Sequence, residues 1–344
     1  MAISAKELAQ KLNISAATVS MVLNHKPGIS EATRQLVLSA AKEYGYQFKK
    51  APEDPDTRTI QIVIYHKNGL ILSDTPFFNH VIEGISFQCQ TLGFALHMSY
   101  VYERDSIEEQ IAHLRDLDVD GILLLGTEMA KEDFTPFTTL SMPLVVLDSY
   151  FDGIPFDSVV INNIQGAFAG TCYLAGLGHK TIGYLRSSFS IHNFEERAEG
   201  YYKALRIHGI ETPHPYVCRI CPVPDQGYED MLRYLEDNPR LPTAYFADND
   251  IVAGAAIRAL KEKGYRVPED ISVIGFDNIP FGSLMEPPLA TMGVEKQQLG
   301  ILAVDTLNRR IQNPNTELVK VALGTKVIHR TSAGFLPEGS HKGS

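Results

Sequence analysis

The chain has 344 residues, which is enough for two or three domains with buried cores. Its composition, 44% hydrophobic and 21% charged, is typical of a globular protein. No apolar run approaches the roughly 18 residues that cross a membrane, and the N-terminus lacks the apolar core of a secretory signal. Four cysteines are too few for a disulfide scaffold and fit a reducing compartment. We therefore expect a cytoplasmic protein with no membrane partner.

Charge is divided unevenly along the sequence. Residues 1–50 contain seven Lys or Arg and three Asp or Glu, a net charge of +4, whereas the whole chain carries −10. The residues after position 50 therefore carry −14. A basic head on an acidic body favours contact between the head and a polyanion. The alternative is that these charges are an ordinary solvated surface.

Three short helices are predicted in the head. Apolar residues at helical spacing indicate the first helix over residues 5–12. Ser15 can cap a second helix, and a third begins at Ser30 and ends before Gly45. Two short helices across a tight turn, braced by a third, predict a helix-turn-helix domain. Any three-helix head would show similar apolar spacing.

The residues of the second helix are more specific. Residues 15–24 read SAATVSMVLN, followed by ISEATR at 29–34 and YGY at 44–46. This pattern resembles the head of the LacI/GalR family of bacterial repressors, in which the second helix enters the DNA major groove. The resemblance implies a set of DNA-binding residues: Ser15, Ala16, Ala17, Thr18, Ser20, Met21, Asn24, Ser30, Lys49 and Lys50.

The polar members of this set can hydrogen-bond to phosphates, which positions the helix without reading the DNA sequence. Ala16, Ala17 and Met21 would face base edges, where the family usually has longer polar residues and an arginine. Ala and Met cannot form bidentate hydrogen bonds with bases, so we expect weak or A·T-dependent readout. Met21 can alternatively belong to the core of the head.

The segment after the head departs from the family pattern. Family members have a hinge helix, typically N-P-x-A-R-S-L, whose Leu wedges into the minor groove of bent DNA. Residues 49–58 instead read KKAPEDPDTR, with two prolines that interrupt a helix and three carboxylates that would lie close to phosphates. We therefore expect a flexible linker and little operator bending, with Lys49 and Lys50 in contact with the DNA backbone.

From residue 59 onward, apolar runs alternate with amphipathic stretches. Strands are predicted at Ile60–Tyr65, Phe94–Tyr100, Gly121–Leu125, Leu144–Leu147, Thr181–Leu185, Ala244–Ala247 and Ser272–Phe276. Helices are predicted near residues 79–92, 107–117, 163–177, 195–208, 226–237 and 249–263. Repeated alternation predicts an α/β fold of parallel, doubly wound sheets. The length indicates two lobes, with a ligand cleft at the carboxyl ends of the strands.

The body also resembles the LacI/GalR family. The longest matching string is RVPEDISVIGFDNIP at 266–280, with PPLAT at 287–291. The resemblance implies a two-lobed body similar to periplasmic sugar-binding proteins, with three crossovers between the lobes. The predicted domains are a helix-turn-helix head at 1–48, a linker at 49–58 and a body at 59–338. Lobe 1 would comprise about 59–161 and 291–322, and lobe 2 about 162–290 and 323–338.

The same resemblance implies an effector site between the lobes, formed by Phe77, Phe78, Asp148, Ile191, Asn193, Arg197, Phe246, Asn249 and Asp277. Aromatic rings suit the CH faces of a sugar, and acid, amide and guanidinium groups suit its hydroxyls. Purine-binding relatives carry Arg at the position of Ile191, which favours a sugar here. Structural alternatives exist: the aromatic rings as core, Asn249 and Asp277 as caps, and Arg197 in an ion pair.

Other local patterns give no support for catalysis or metal binding. Cys218 and Cys221 form a lone C-x-x-C pair without further metal ligands nearby in the sequence. Phosphate-loop, G-x-G-x-x-G and G-x-S-x-G patterns are missing, and no acid–base arrangement proposes a nucleophile. We therefore predict no metal, no cofactor and no enzymatic activity.

Three classes of function can be compared on this basis: a ligand-controlled DNA-binding repressor, a solute receptor for transport, and a cytoplasmic sugar sensor or sugar enzyme. A receptor requires an export signal, and an enzyme requires a catalytic pair. The basic head favours the repressor. The resemblance further implies a homodimer that binds a pseudo-palindromic operator. A small molecule, with a carbohydrate as the favoured class, would control DNA affinity allosterically.

Overall fold

The computed structural model describes residues 58–72, 76–210, 216–237 and 239–336, together with residues 5–12, 14, 15, 18, 19, 22, 33, 37 and 40 of the head. The chain divides into two compact units, Met1–Thr57 and Arg58–Ser344. Across these described residues, no helix combines the length and apolarity that a membrane crossing requires.

The head is built around a small apolar cluster. Helix α1 (Ala5–Leu12) buries Leu8 and Ala9, which pack with buried residues of the two following segments, namely Val19, Val22, Val37 and Ala40. Ser15 Oγ accepts a hydrogen bond from the Thr18 backbone N–H at 2.9 Å, as expected for the N-cap of a second helix. The predicted apolar faces are therefore confirmed at these positions.

Most of the predicted DNA contacts lie outside the described residues. These are Ala16, Ala17, Ser20, Met21, Asn24, Ser30, Lys49 and Lys50, and residues 49–57 of the linker fall in the same category. Ser15 and Thr18 are described, and their hydroxyl oxygens lie 2.8 Å apart.

The body contains two six-stranded sheets. The first has the order β11-β5-β4-β3-β1-β2 and comprises β1 (Thr59–His66), β2 (Ala95–Tyr102), β3 (Gly121–Leu125), β4 (Leu144–Leu147), β5 (Asp157–Ile161) and β11 (Lys320–Leu323). The second has the order β12-β10-β9-β8-β6-β7 and comprises β6 (Ile182–Ser187), β7 (Val217–Ile220), β8 (Ala244–Ala247), β9 (Ser272–Asp277), β10 (Ala290–Gly293) and β12 (Lys326–Ile328). Among the described residues, neighbouring strands pair in parallel except for the antiparallel pair β10 and β12.

Helices cover both faces of each sheet. The first sheet lies between the pair α2 (Pro76–Leu92) and α9 (Lys296–Gln312) and the pair α3 (Ile107–Arg115) and α4 (Lys131–Phe134). The second lies between the pair α5 (Asn163–Gly176) and α6 (His192–His208) and the pair α7 (Pro224–Glu236) and α8 (Asp250–Glu262). Central strands such as β3, with the sequence GILLL, are buried throughout because both faces are covered.

The lobes are connected by three crossovers, as predicted. The chain passes from lobe 1 to lobe 2 after β5, returns between β10 and α9, and passes again between β11 and β12. The second crossover corrects the predicted boundary at 290/291. Because β10 pairs with β9 and β12 in the second sheet, lobe 2 extends to Gly293 and lobe 1 resumes at about Lys296.

Helices α2 and α9 approach each other closely through two glycines. A Cβ added at Gly84 would lie 2.0 Å from the carbonyl oxygen of Gln297, and one added at Gly300 would lie 2.2 Å from that of Val81. Real Cβ atoms do not approach carbonyl oxygens so closely, so both positions require glycine. This contact fixes α9 against α2.

Candidate effector cleft

The candidate site lies between the lobes, at the carboxyl ends of both sheets. The lining residues come from the segments after β1, β3 and β4 and the end of β5 in lobe 1, and from the segments after β6 and β8 and the end of β9 in lobe 2. The free space between them is about 30 Å³, room for one or two water molecules, whereas small-molecule sites usually measure about 300–1,000 Å³. A sugar-sized effector therefore requires the lobes to move apart.

Aromatic rings form the lobe 1 wall of the cleft. Phe77 and Phe78 lie in the first turn of α2, and their ring centroids are 5.1 Å apart in an edge-to-face arrangement. Both rings are largely buried, yet both line the cleft. They therefore belong to the core and to the candidate binding surface at the same time.

Asp148 supplies a buried carboxylate directly after β4. Its Oδ2 accepts a hydrogen bond from Thr127 Oγ1 at 2.7 Å. Its Oδ1 is buried and has no hydrogen bond of normal length within the described part of the chain, and the nearby Asn193 side chain helps to stabilise the carboxylate. Burial raises the pKa of Asp148 to about 6, although the Thr127 hydrogen bond and the Arg197 charge oppose this shift. The residue has a φ of 63°, which Asp tolerates better than most residues do.

Arg197 links the polar residues of lobe 2. It is 3% exposed on α6, where its Nε donates to Asn163 Oδ1 at 2.9 Å and its Nη1 to the Asp248 carbonyl oxygen at 2.5 Å. Its Nη2 donates to Asp277 Oδ1 at 3.2 Å. The guanidinium also lies 3.8 Å from the centroid of the Phe276 ring. Arg197 therefore forms the predicted ion pair and also lines the cleft.

Asn249 and Asp277 come from neighbouring strand ends. Asn249 is the N-cap of α8, because its Oδ1 accepts the Val252 N–H at 2.9 Å, and it also lines the cleft. Asp277 ends β9 with a φ of 106°. Lys296, at the start of α9, donates to the carbonyl oxygens of Asp277 at 2.5 Å, Asn278 at 3.0 Å and Val294 at 3.2 Å. Lys296, which belongs to lobe 1, thus anchors the loop of lobe 2 that contains Asp277 and Asn278.

Two further carboxylates lie behind the lining residues. Asp248 is completely buried and accepts hydrogen bonds from the Tyr184 hydroxyl and the Ser187 N–H. Asp250, also completely buried, accepts from the Thr291 hydroxyl at 2.5 Å and the Ile279 N–H at 2.8 Å. Burial raises the pKa of Asp248 to about 6 and that of Asp250 to about 7.

A polar network that the sequence analysis did not identify joins the two lobes. Tyr150, which follows β4 in lobe 1, donates its hydroxyl to Glu196 Oε1 on α6 of lobe 2 at 2.9 Å. Glu196 Oε2 accepts from Asn163 Nδ2 at 3.0 Å, and the same amide lies 3.2 Å from Asn193 Oδ1. This network connects lobe 1 to lobe 2 through side-chain hydrogen bonds.

The structure brings eight of the nine predicted effector residues to the cleft: Phe77, Phe78, Asp148, Ile191, Asn193, Arg197, Asn249 and Asp277. The placement of Phe246 there is a correction. Phe246 is completely buried on β8, and its ring packs against Tyr184 and Tyr201 in the core of lobe 2. Further lining residues that the sequence did not indicate are Ile71, Thr127, Ile161 and Phe194.

Comparison with known proteins places this geometry in a family. Residues 4–48 match the family described as bacterial regulatory proteins, lacI family, and residues 171–333 match the periplasmic binding protein-like domain. The HTH-type transcriptional repressor PurR of Pasteurella multocida (strain Pm70) is 31% identical over 331 residues, covering 95% of this chain and 97% of that protein. The chain belongs to the LacI family.

Solved structures of transcriptional regulators have the same fold. The complex of the transcriptional regulator CelR with cellobiose has a TM-score of 0.71 at 28% identity and covers 96% of this chain and 99% of its own. A LacI family regulator from Enterococcus faecium with bound ribose has a TM-score of 0.69 at 26% identity, covering 81% and 100%. The protein is therefore a DNA-binding transcriptional repressor of the LacI family and not an enzyme, as predicted.

Proposed function

We propose that this LacI-family repressor acts in the cytoplasm as a homodimer on a pseudo-palindromic operator, and that a carbohydrate bound in the cleft controls its DNA affinity. The lining of the cleft supports this proposal, because it combines the Phe77 and Phe78 rings with the polar groups of Asp148, Arg197 and Asp277. Such a set offers both stacking surfaces and hydroxyl partners. The relatives solved with cellobiose and with ribose support the same ligand class.

Exposed apolar residues support a homodimer. Lobe 1 exposes Phe87 on α2 together with Met98 and Tyr100 on the edge strand β2. Lobe 2 exposes Phe281 and Leu284 beside α8, where they border an apolar groove of about 440 Å³. Clustered apolar surface of this kind marks interaction sites. A second copy of the chain is the occupant, since a two-fold axis presents the same patches on both subunits.

The position of α2 suggests how the effector reaches the interface. Phe77 and Phe78 at its start line the cleft, and Phe87, three turns later, belongs to the proposed lobe 1 patch. A change in cleft opening that moves α2 therefore also moves this patch. Effector binding would change the spacing of the two heads and thereby the affinity for DNA. The coupling free energy between the two ligands would be on the order of 1–3 kcal/mol.

The test is selection of random DNA duplexes by the purified full-length protein at about 150 mM salt, where non-specific binding is weak. We expect enrichment of a palindrome, and the selected duplex should respond to a binding sugar in an anisotropy titration. Selection without any enriched motif would contradict the operator proposal and favour a sugar sensor. An enriched motif whose affinity no sugar changes would contradict the proposed effector class.

A further inference from the structure

Side chains bridge the two lobes at two kinds of position. Lys296 bridges them at a crossover, where the chain itself already joins the lobes. Tyr150 bridges them elsewhere, because it follows β4 of lobe 1 and its hydroxyl donates to Glu196 Oε1 on α6 of lobe 2 at 2.9 Å. Neither Tyr150 nor Glu196 belongs to a crossover. This hydrogen bond can therefore break when the lobes separate, while the crossovers stay intact.

The Tyr150 ring lies between side chains of both lobes. The Lys320 ammonium of lobe 1 is 2.9 Å from the ring centroid, and the His192 ring of lobe 2 contacts it edge to face at 4.3 Å. Burial and the hydrogen bond to Glu196 raise the pKa of the Tyr150 hydroxyl above its ordinary value. The hydroxyl therefore keeps its proton and donates to a carboxylate, which gives a stronger bond than a neutral acceptor does.

Glu196 also connects this bond to the lining of the cleft. The residue is 8% exposed, and its Oε2 accepts from Asn163 Nδ2 at 3.0 Å. Asn163 Oδ1 in turn accepts from Arg197 Nε at 2.9 Å, and Arg197 lines the cleft. A ligand that displaces Arg197 would therefore act, through Asn163, on the carboxylate that holds Tyr150.

A second space between the lobes lies beside the cleft. This outer pocket measures about 410 Å³, and its lining includes Tyr150 and Phe151 of lobe 1 and Ile191 and His192 of lobe 2. Ile191 also lines the cleft, whose free space is about 30 Å³. The wide outer pocket and the narrow cleft are therefore neighbours, and Tyr150 bridges the lobes at the outer pocket.

We propose that Tyr150 and Glu196 form a latch, which holds the lobes together and limits passage from the outer pocket into the cleft. A sugar-sized molecule exceeds the free space of the cleft, so its entry requires the latch to break. The latch then weakens effector binding by the factor with which it disfavours the open arrangement. This inference rests on the proposed effector role of the cleft. The latch itself can be tested without DNA or effector, so the two can fail separately.

Alkylation of a cysteine placed in the cleft measures how often the lobes separate. Ile71 is 6% exposed and lines the cleft, so the thiol of Ile71→Cys should react with iodoacetamide when the cleft opens. The assay uses the full-length protein, and mass spectrometry of digested samples gives the rate for each cysteine separately. Cys89, which is 1% exposed in the core of lobe 1, reports unfolding of that lobe in the same sample.

Tyr150→Phe, made together with Ile71→Cys, should raise the alkylation rate at position 71 about tenfold, because it removes the hydrogen bond between the lobes and keeps the ring. Tyr228→Phe is the matched control. Tyr228 also donates its hydroxyl to a glutamate, Glu262, but both residues lie within lobe 2. The control should leave the rate unchanged, and neither substitution should accelerate the alkylation of Cys89.

Equal rates at position 71 with and without the Tyr150 hydroxyl would overturn the latch. An equal acceleration by Tyr228→Phe would also overturn it, and so would a parallel acceleration at Cys89. Either result would indicate a general loosening of the body rather than separation of the lobes.

Discussion

At the level of single residues, buried carboxylates make the stability of the body depend on pH. Burial, reinforced by the nearby Asp277 charge, raises the pKa of Asp250 to about 7. In the unfolded chain the pKa of an Asp is about 4. Between these values the folded protein retains a proton that the unfolded chain has released. The free energy of unfolding therefore decreases as the pH rises through this window.

Asp250→Asn should reduce this dependence, because an amide does not titrate. We expect the free energy of unfolding to fall less steeply between pH 5 and 8 than in the wild type, where one proton contributes at most about 1.4 kcal/mol per pH unit. At pH 5 the two proteins should have similar free energies of unfolding, because a protonated carboxyl and an amide each present one carbonyl oxygen to the Ile279 N–H and one donor to the Thr291 hydroxyl. Urea denaturation at four pH values tests both expectations.

Asp105→Asn serves as the control for this experiment, because its carboxylate is largely solvated. The control should reproduce the wild-type slope. A wild-type slope in Asp250→Asn as well would show that this carboxyl group does not hold a proton in the folded state.

We propose two roles for Ser15 in the head. Its hydroxyl oxygen accepts a hydrogen bond from the Thr18 N–H, as expected for the N-cap of the second helix, and we expect the same hydroxyl to contact a DNA phosphate. Ser15→Ala should lower the free energy of unfolding of the head by about 1 kcal/mol. It should also weaken DNA binding by the same factor for every duplex, because a phosphate contact does not depend on the base sequence. Fluorescence anisotropy with the selected operator and with an unrelated duplex measures the second effect.

Ser15→Asp separates the two roles. Asp is an equally good N-cap, but its carboxylate would repel a phosphate. We expect normal stability of the head together with weaker DNA binding. Wild-type affinity in Ser15→Asp would argue against the phosphate contact.

Residue chemistry explains which of the predicted effector residues line the cleft. Asp148, Arg197, Asn249 and Asp277 follow strands or lie near helix starts, where the topology of an α/β sheet exposes side chains to the cleft. Phe246 lies within β8, which is covered by helices on both faces, so its ring points into the core. Contacts such as Tyr150 with Glu196 join distant segments and have no local sequence signal.

At the level of elements, buried apolar runs were predictable even where they are short. The apolar runs of β1 and β3 correspond closely to the predicted strands, and the four-residue strands β4 and β8 were predicted with their exact bounds. Strands β10 (ATMG) and β12 (KVI) were missed because each is short and contains polar or glycine residues, so no apolar run marks it. Helix α9 was also missed, although Leu299, Ala303 and Leu307 recur at four-residue spacing and are buried.

The contact between α2 and α9 should be sensitive to added volume. Gly84→Ala would place a methyl group against the Gln297 carbonyl oxygen and push the helices apart. We expect a loss of about 1–3 kcal/mol in the free energy of unfolding, measured by urea denaturation. In Gly176→Ala the added methyl group meets no atom within 4 Å, so this control should be neutral or slightly stabilising. Equal effects of the two substitutions would contradict the close packing.

At the level of the whole molecule, the proposed dimer makes a direct prediction. Leu284 is 82% exposed next to the lobe 2 groove, and Leu284→Asp would place a charge within an apolar interface. Sedimentation velocity should show a dimer for the wild type and a monomer, or a strongly weakened dimer, for the variant.

Ile207→Asp is the matched control, since Ile207 is a similarly exposed apolar residue on α6, away from the proposed patches. It should remain dimeric. A monomeric wild type, or a dimer that Leu284→Asp leaves intact, would contradict the assignment of this surface.

The three crossovers also have a consequence for synthesis on the ribosome. Strands β1 to β5 of lobe 1 emerge early, but helix α9 and strand β11, which complete that lobe, lie beyond residue 295. At normal elongation rates, the time between synthesis of β5 and synthesis of α9 is on the order of ten seconds. During this time the sheet face that α9 covers in the folded protein is incompletely covered. Lobe 2 likewise lacks β12 until synthesis has passed residue 328. Both lobes of a nascent repressor are therefore completed during the same short stretch of synthesis, between residues 296 and 328, and chains that terminate before this stretch should be recognised by chaperones and proteases.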